Sequence, residues 1–193
     1  MIDWGSIEFH PVVNLPQKYT ILDLSKGIWE NPETVFSIGK YDELRPGMYK
    51  SEIFSGVRNL HVGVDIGGPI GTPCMAFMEG EISHFGYNPH PGDYGNVVIT
   101  KHNIGGNFVW ALYGHLDSQS IKNKVVGQKI SSGEILGWFG DKNENGGWEP
   151  HLHFQLSIIE PETHDLPGVV SLESRDQALI DFPDPRLILG DIY

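Results

Sequence analysis

The chain has 193 residues, with 25 acidic and 13 basic side chains, a formal charge of −12 and 39% hydrophobic residues. That length supports one domain with its own core, and the composition is that of a globular protein, not a disordered one. The acid excess and the lack of a basic stripe argue against a nucleic-acid partner and against docking on anionic lipid. No run approaches the roughly 18 apolar residues of a membrane span. Cys74 is the only cysteine, which excludes an intrachain disulfide and any cysteine-based zinc site.

Twenty-four glycines and thirteen prolines punctuate strand-like runs. The pattern predicts a mainly β fold, a small antiparallel sheet or β-sandwich hybrid with N- and C-terminal extensions. Residues 1–50 read as an N-terminal extension packing on the core, with one or two short strands in pieces such as Tyr19–Leu24. The opening Met1–Glu8 has neither the basic nor the apolar region of a signal peptide. The expectation is a cytoplasmic protein as written, or an envelope protein if a signal has been removed.

Residues 51–160 carry the patterned core. Strands are predicted at Cys74–Met78, Glu81–Phe85, Asn96–Thr100, Phe108–Tyr113, Ile135–Phe139 and His153–Ile158. Gly67-Gly68-Pro69 and Gly71-Thr72-Pro73 read as turns, and Asn88–Asp93 and Asn143–Gly147 as loops. Cys74 reads as a small buried hydrophobe. Residues 161–193 form a C-terminal tail with a short helix predicted over Ser174–Ile180.

The histidines are the chemically informative part. His61 and Asp65 are four apart, about 13 Å along a regular strand at about 3.3 Å per residue, too far to share an ion. Val62, Val64 and Ile66 oppose a helix, so Gly63 must supply a bulge or kink if the two are to meet. His115 closes the apolar run Val109–Leu116. His151 and His153, in Pro150-His-Leu-His-Phe154, share one face of a strand. Each motif alone has an ordinary explanation: a chance pair, a strand-end core histidine, a satisfied core pair. Four histidines and one aspartate in three segments of one small domain are better explained by a shared ion. Which of His151 and His153 would be the ligand is open at this level. His102 reads as structural, His84 and His90 as surface or groove wall, and His10 and His164 as exposed. Tyr94, Tyr113 and Trp148 read as packing residues, Trp148 also as a cover over the groove.

Arg58…His61-x-Gly63-x-Asp65, Gly71-Thr72-Pro73, Asp93-Tyr-Gly-Asn-Val-Val-Ile-Thr-Lys-His102, Tyr113-Gly-His115-Leu and Pro150-His-Leu-His-Phe-Gln155 occur in that order over residues 55–160. Together they resemble the lysostaphin/LytM-type zinc metallopeptidases, endopeptidases that cut peptidoglycan. The resemblance implies one zinc ion held by His61, Asp65 and His153, with His115 and His151 as the catalytic pair. It also implies a small antiparallel β assembly with the site in a groove. The flanks Ile38–Pro46, Glu144–Pro150 and Pro183–Gly190 resemble the metallopeptidase-like middle module of cytosolic fusions. In those fusions the module lies between a kinase-like and an aminotransferase-like domain.

The expected function is a zinc-dependent hydrolase of a peptide or amide bond, with a metal-activated water and two catalytic histidines. Two alternatives stand beside it: a cytosolic zinc hydrolase of a small amide metabolite, and a non-catalytic binding or activator module of the same fold. An open trough would fit a polymer and a closed pocket a metabolite. The sequence implies no oligomeric state.

Overall fold

The computed structural model describes residues 2–26, 32–54 and 56–193. In chain order the strands are β1 (Thr20–Ile21), β2 (Ser37–Gly39), β3 (Glu43–Leu44), β4 (Arg58–His61), β5 (Val64–Gly67), β6 (Pro73–Met75) and β7 (Gly80–Asn88). They continue as β8 (Gly95–Ile104), β9 (Asn107–Leu116), β10 (Lys129–Ile130), β11 (Ile135–Trp138), β12 (His151–Ser157) and β13 (Val169–Ser171). Two short helices follow, α1 (Arg175–Asp181) and α2 (Arg186–Leu189).

The strands form an eight-stranded sheet in the order β1-β2-β5-β12-β9-β8-β7-β10, a three-stranded sheet β13-β4-β3, and the pair β11-β6. Pairing is antiparallel throughout except between β1 and β2. The mainly β, antiparallel fold is the one expected. The N-terminal region differs in detail, contributing three short strands among its described residues instead of one or two. Two of them lengthen the large sheet at its edge, and β3 pairs with β4.

Side-chain alternation divides the large sheet into two working faces. Val109, Ala111 and Tyr113 of β9 join Val64, Ile66, Leu152, Phe154 and Leu156 in the larger core, together with Phe77 and Phe139 from the connections. Trp110 and Leu112 point the other way, into a second core with Leu60, Val62, Val97, Ile99, Val170 and, from α1, Ala178. The three-stranded sheet therefore packs on that second face, and the face stays partly open at one end. Asp65, His151 and His153 belong to it, because they alternate with Val64, Ile66, Leu152 and Phe154 of the larger core.

The tail helix lies within a residue of its predicted place. Arg175 forks onto Asp42, and Tyr41 donates from its hydroxyl to the Phe182 carbonyl at 2.7 Å. Cys74 is buried in β6, as read. His10 and His164 differ from expectation: both are half-buried, against Gly133 and Gly86 respectively. No described helix is long and apolar enough to cross a membrane.

His102 is the structural residue its sequence position suggested. Its Nδ1 donates to the Glu79 carbonyl at 2.9 Å, and its Nε2 accepts from the Thr100 hydroxyl at 2.7 Å. Burial pushes this imidazole down from 6.5 to about 4. A histidine depressed in the folded state takes up its proton only on unfolding, so falling pH favours the unfolded chain. His102 should therefore cost the metal-free protein about 2 kcal/mol of stability between pH 7 and pH 5. Urea unfolding of wild type and His102→Gln at both pH values checks this. The variant should lose less stability on acidification, and equal losses would refute the assignment.

Candidate active site

The chain solves the His61–Asp65 separation by changing sheets. His61 ends β4 in the three-stranded sheet, and Asp65 lies in β5 of the large one, with Val62–Gly63 as the crossing. The turn brings His61 Nε2 to 3.2 Å from Asp65 Oδ1. Gly63 serves a second purpose that the sequence did not disclose. A Cβ there would lie 2.4 Å from His153 Cε1 and 2.5 Å from its Nε2. The position must be glycine because the His153 ring packs directly on it.

Register supplies the next contact. In the antiparallel pairing of β12 with β5, His153 stands opposite Asp65 and His151 opposite Gly67. His153 Nδ1 lies 3.0 Å from Asp65 Oδ1 and 3.1 Å from His61 Nε2. His61 Nδ1 donates to the Lys40 carbonyl at 2.9 Å, and His153 Nε2 donates to Gln155 Oε1 at 3.0 Å. Those partners fix the tautomers and leave both inward-facing nitrogens without a proton. Burial pushes His61 down to about 4, which keeps it neutral. Burial alone would raise the Asp65 carboxyl, but its surroundings, the Arg45 guanidinium among them, hold it well below its usual range. Three acceptors thus converge with no hydrogen between them, and a cation relieves that arrangement.

His115 reaches the same site by a backbone irregularity. Strict alternation from Tyr113 would send its side chain into the larger core. The β8–β9 register slips between Asn96↔Leu116 and Val98↔Tyr113, and His115 adopts a left-handed φ of 64°. This bulge turns His115 to the site face and returns Leu116 to the larger core. The His115 and His151 rings lie 4.2 Å apart between centroids. Their Nδ1 atoms donate to the carbonyls of Asn145 (2.8 Å) and Glu149 (2.6 Å), leaving both Nε2 atoms bare. Burial, reinforced for His115 by His151 and His153, lowers both imidazoles below their ordinary value.

All five residues singled out in the sequence line one cavity of about 630 Å³. Trp148 also lines it; His84 and His90 do not. Tyr94 does more than pack: its hydroxyl donates to the Leu166 carbonyl at 3.0 Å while its ring lies 5.1 Å from that of His153. Sequence reading missed Gln155, although it continues the two-residue period from His151 and His153. It also missed Arg45, which is 2% exposed and donates from NH1 to Asp65 Oδ2 at 2.6 Å.

The Peptidase family M23 model matches residues 59–164, more than half of the chain. The chain belongs to peptidase family M23. The DD-carboxypeptidase/endopeptidase Mpg of Neisseria meningitidis is 36% identical over 99 residues, 51% of this chain and 20% of that protein. Lysostaphin of Staphylococcus staphylolyticus is 36% identical over 112 residues, 58% of this chain and 21% of that one. The M23 chain therefore spans about a fifth of the length of these relatives. The catalytic domain of lysostaphin from Staphylococcus simulans aligns at a TM-score of 0.49 with 25% identity, over 74% of this chain and 92% of that one.

M23 peptidases use zinc, and the donor set fits it. Two imidazole nitrogens and one carboxylate oxygen are a catalytic zinc ligand set. Bonds of about 2.0 Å in a tetrahedron put ligand atoms about 3.3 Å apart, close to the 3.0–3.2 Å separations of His61, Asp65 and His153. Each of the three offers one ligand atom to a shared point.

Proposed function

We propose that this protein is a zinc-dependent hydrolase of peptide or amide bonds, with His61, Asp65 and His153 as metal ligands and His115 and His151 as the catalytic pair. The observation that carries the reading is the convergence of His61 Nε2, His153 Nδ1 and Asp65 Oδ1 within 3.0–3.2 Å of one another, beside the neighbouring rings of His115 and His151. When bound, zinc supplies Lewis acidity, which brings the ionisation of a water toward neutral pH. His115 and His151 accept the proton of the attacking water at Nε2 and return it to the leaving amine. The imidazole that carries this one proton stabilises the oxyanion. Their depressed proton affinities keep them in the base form at neutral pH.

The named relatives include a glycyl-glycine endopeptidase and a peptidoglycan DD-endopeptidase, which supports a peptide substrate. The cavity favours a short one. The larger part of its lining comes from residues before 59 or after 164, among them Leu22, Leu24, Met48, Phe54 and Leu166. These side chains give the site apolar walls that the family-matched stretch does not supply. Its volume of about 630 Å³ falls in the range of clefts that take small ligands, roughly 300–1,000 Å³.

A substrate panel tests the reading. Zinc-loaded protein is offered soluble di- to pentapeptides and small amides on one side, and intact peptidoglycan on the other. New amines should appear from the short substrates and vanish with chelator. Release from peptidoglycan alone would overturn the short-substrate reading. One bound zinc with no hydrolysis of any substrate would make the protein a binding module instead.

A further inference from the structure

Arg45 lies outside the family-matched stretch, just beyond β3, yet it is 2% exposed. A guanidinium is buried only when its donors find partners, and here each of its three nitrogens has one. NH1 donates to Asp65 Oδ2 at 2.6 Å and to the Tyr49 hydroxyl at 3.1 Å. Nε donates to Glu43 Oε2 at 2.9 Å, and NH2 to the Lys40 carbonyl at 3.1 Å. Glu43 is fixed in turn, accepting the Leu24 backbone N–H at 3.1 Å through Oε1. Gly39 keeps the corridor clear, because a Cβ there would lie 2.8 Å from Arg45 NH2 and 3.2 Å from Asp65 Cβ.

The two oxygens of Asp65 therefore face different partners. Oδ1 faces His61 Nε2 at 3.2 Å, His153 Nδ1 at 3.0 Å and His151 Nε2 at 3.8 Å. Oδ2 is held by a charge-assisted bond to a clamped guanidinium. A free carboxylate can bind a metal through one oxygen or both. A second oxygen would take up coordination space that a hydrolytic site must leave to water and substrate.

We infer that Arg45 is a positioning residue that holds Asp65 Oδ2 and restricts the carboxylate to ligation through Oδ1. The inference rests on the zinc reading above. It makes the N-terminal segment part of the metal site, since Lys40, Glu43 and Arg45 all lie within it. Lysine cannot replace the arginine, because a single ammonium lacks the fork that serves Glu43 and Asp65 together.

The test uses the full chain, stripped of metal by chelator and reloaded with cobalt(II), whose visible absorption reports coordination number. Wild type should show the strong bands of a four-coordinate ion. Arg45→Met should lose at least about half of that intensity as Oδ2 joins the metal, and Arg45→Lys should fall between the two. With a peptide that wild type cleaves, kcat of Arg45→Met should fall by about 10- to 100-fold with KM little changed. If Arg45→Met fails to melt cooperatively, Glu43→Leu, which removes the Nε anchor, should show the same spectral change at smaller amplitude. An unchanged cobalt spectrum in a folded variant overturns the inference, as does a lysine variant identical to wild type. Wild-type protein that takes up no cobalt overturns the zinc reading instead.

Discussion

His153→Ala is expected to remove the metal and the activity together. Zinc sites with four protein ligands bind with apparent free energies on the order of 10–16 kcal/mol. One ligand thus carries about 3–4 kcal/mol, a weakening of two to three decades. Catalysis should fall by at least the same factor at limiting zinc. Asp65→Asn would also strip the buried Arg45 guanidinium of one of its two carboxylate partners, leaving Glu43 alone to balance it, and so would mix a second effect with the loss of a ligand. His153 has only neutral partners on its outer side, Gln155 at 3.0 Å and the ring of Tyr94. Chelator-competition titration measures the affinity, and a thermal melt of the metal-free variant shows that the chain still folds. Wild-type zinc affinity in a folded His153→Ala protein would remove His153 from the ligand set.

The meeting of His61, Asp65 and His153 was legible in the sequence because two simple rules apply there. A period of two put His151 and His153 on one face, and a fixed strand rise showed that His61 and Asp65 could meet only if the chain turned between them. The structure adds the cause of the meeting: a crossing between two sheets at Val62–Gly63, which no local pattern announces. His115 was ambiguous for a related reason. Alternation along Val109–Leu116 assigns its side chain to the larger core, and only the bulge with its left-handed φ of 64° reverses that. The short strands β1 to β3 hold two or three residues each, too few for a period to register. Arg45 and Glu43 stood in the sequence only as part of the flank Ile38–Pro46, because nothing local marks two charged residues beside a proline as buried. Their burial follows from the meeting of β2, β4 and β5, which is a property of the tertiary fold.

The second large effect separates metal binding from catalysis. His115→Asn and His151→Ala should each keep one zinc at near wild-type affinity and lose about 10²- to 10⁴-fold in kcat. Asparagine suits position 115, since it tolerates the left-handed φ of 64° that alanine would strain. The backbone there is pinned from both sides, by the His115 N–H on the Tyr94 carbonyl and the Gly140 N–H on the His115 carbonyl, both at 2.9 Å. The ring can therefore be removed without releasing the bulge. The two rings lie 4.2 Å apart and would share one proton inventory, so their losses should not multiply. The double variant should be about as slow as the worse single one, as for groups that act as a unit. Zinc stoichiometry with steady-state kinetics on a cleaved peptide gives both readings from one preparation. Either single variant within about threefold of wild type would exclude that histidine from proton transfer, because a positioned general acid or base contributes at least about 10². Loss of zinc alongside activity would instead make that imidazole a ligand. The geometry opposes this outcome, because His151 Nε2 stands 3.8 Å from Asp65 Oδ1 while the three ligand atoms lie 3.0–3.2 Å from one another.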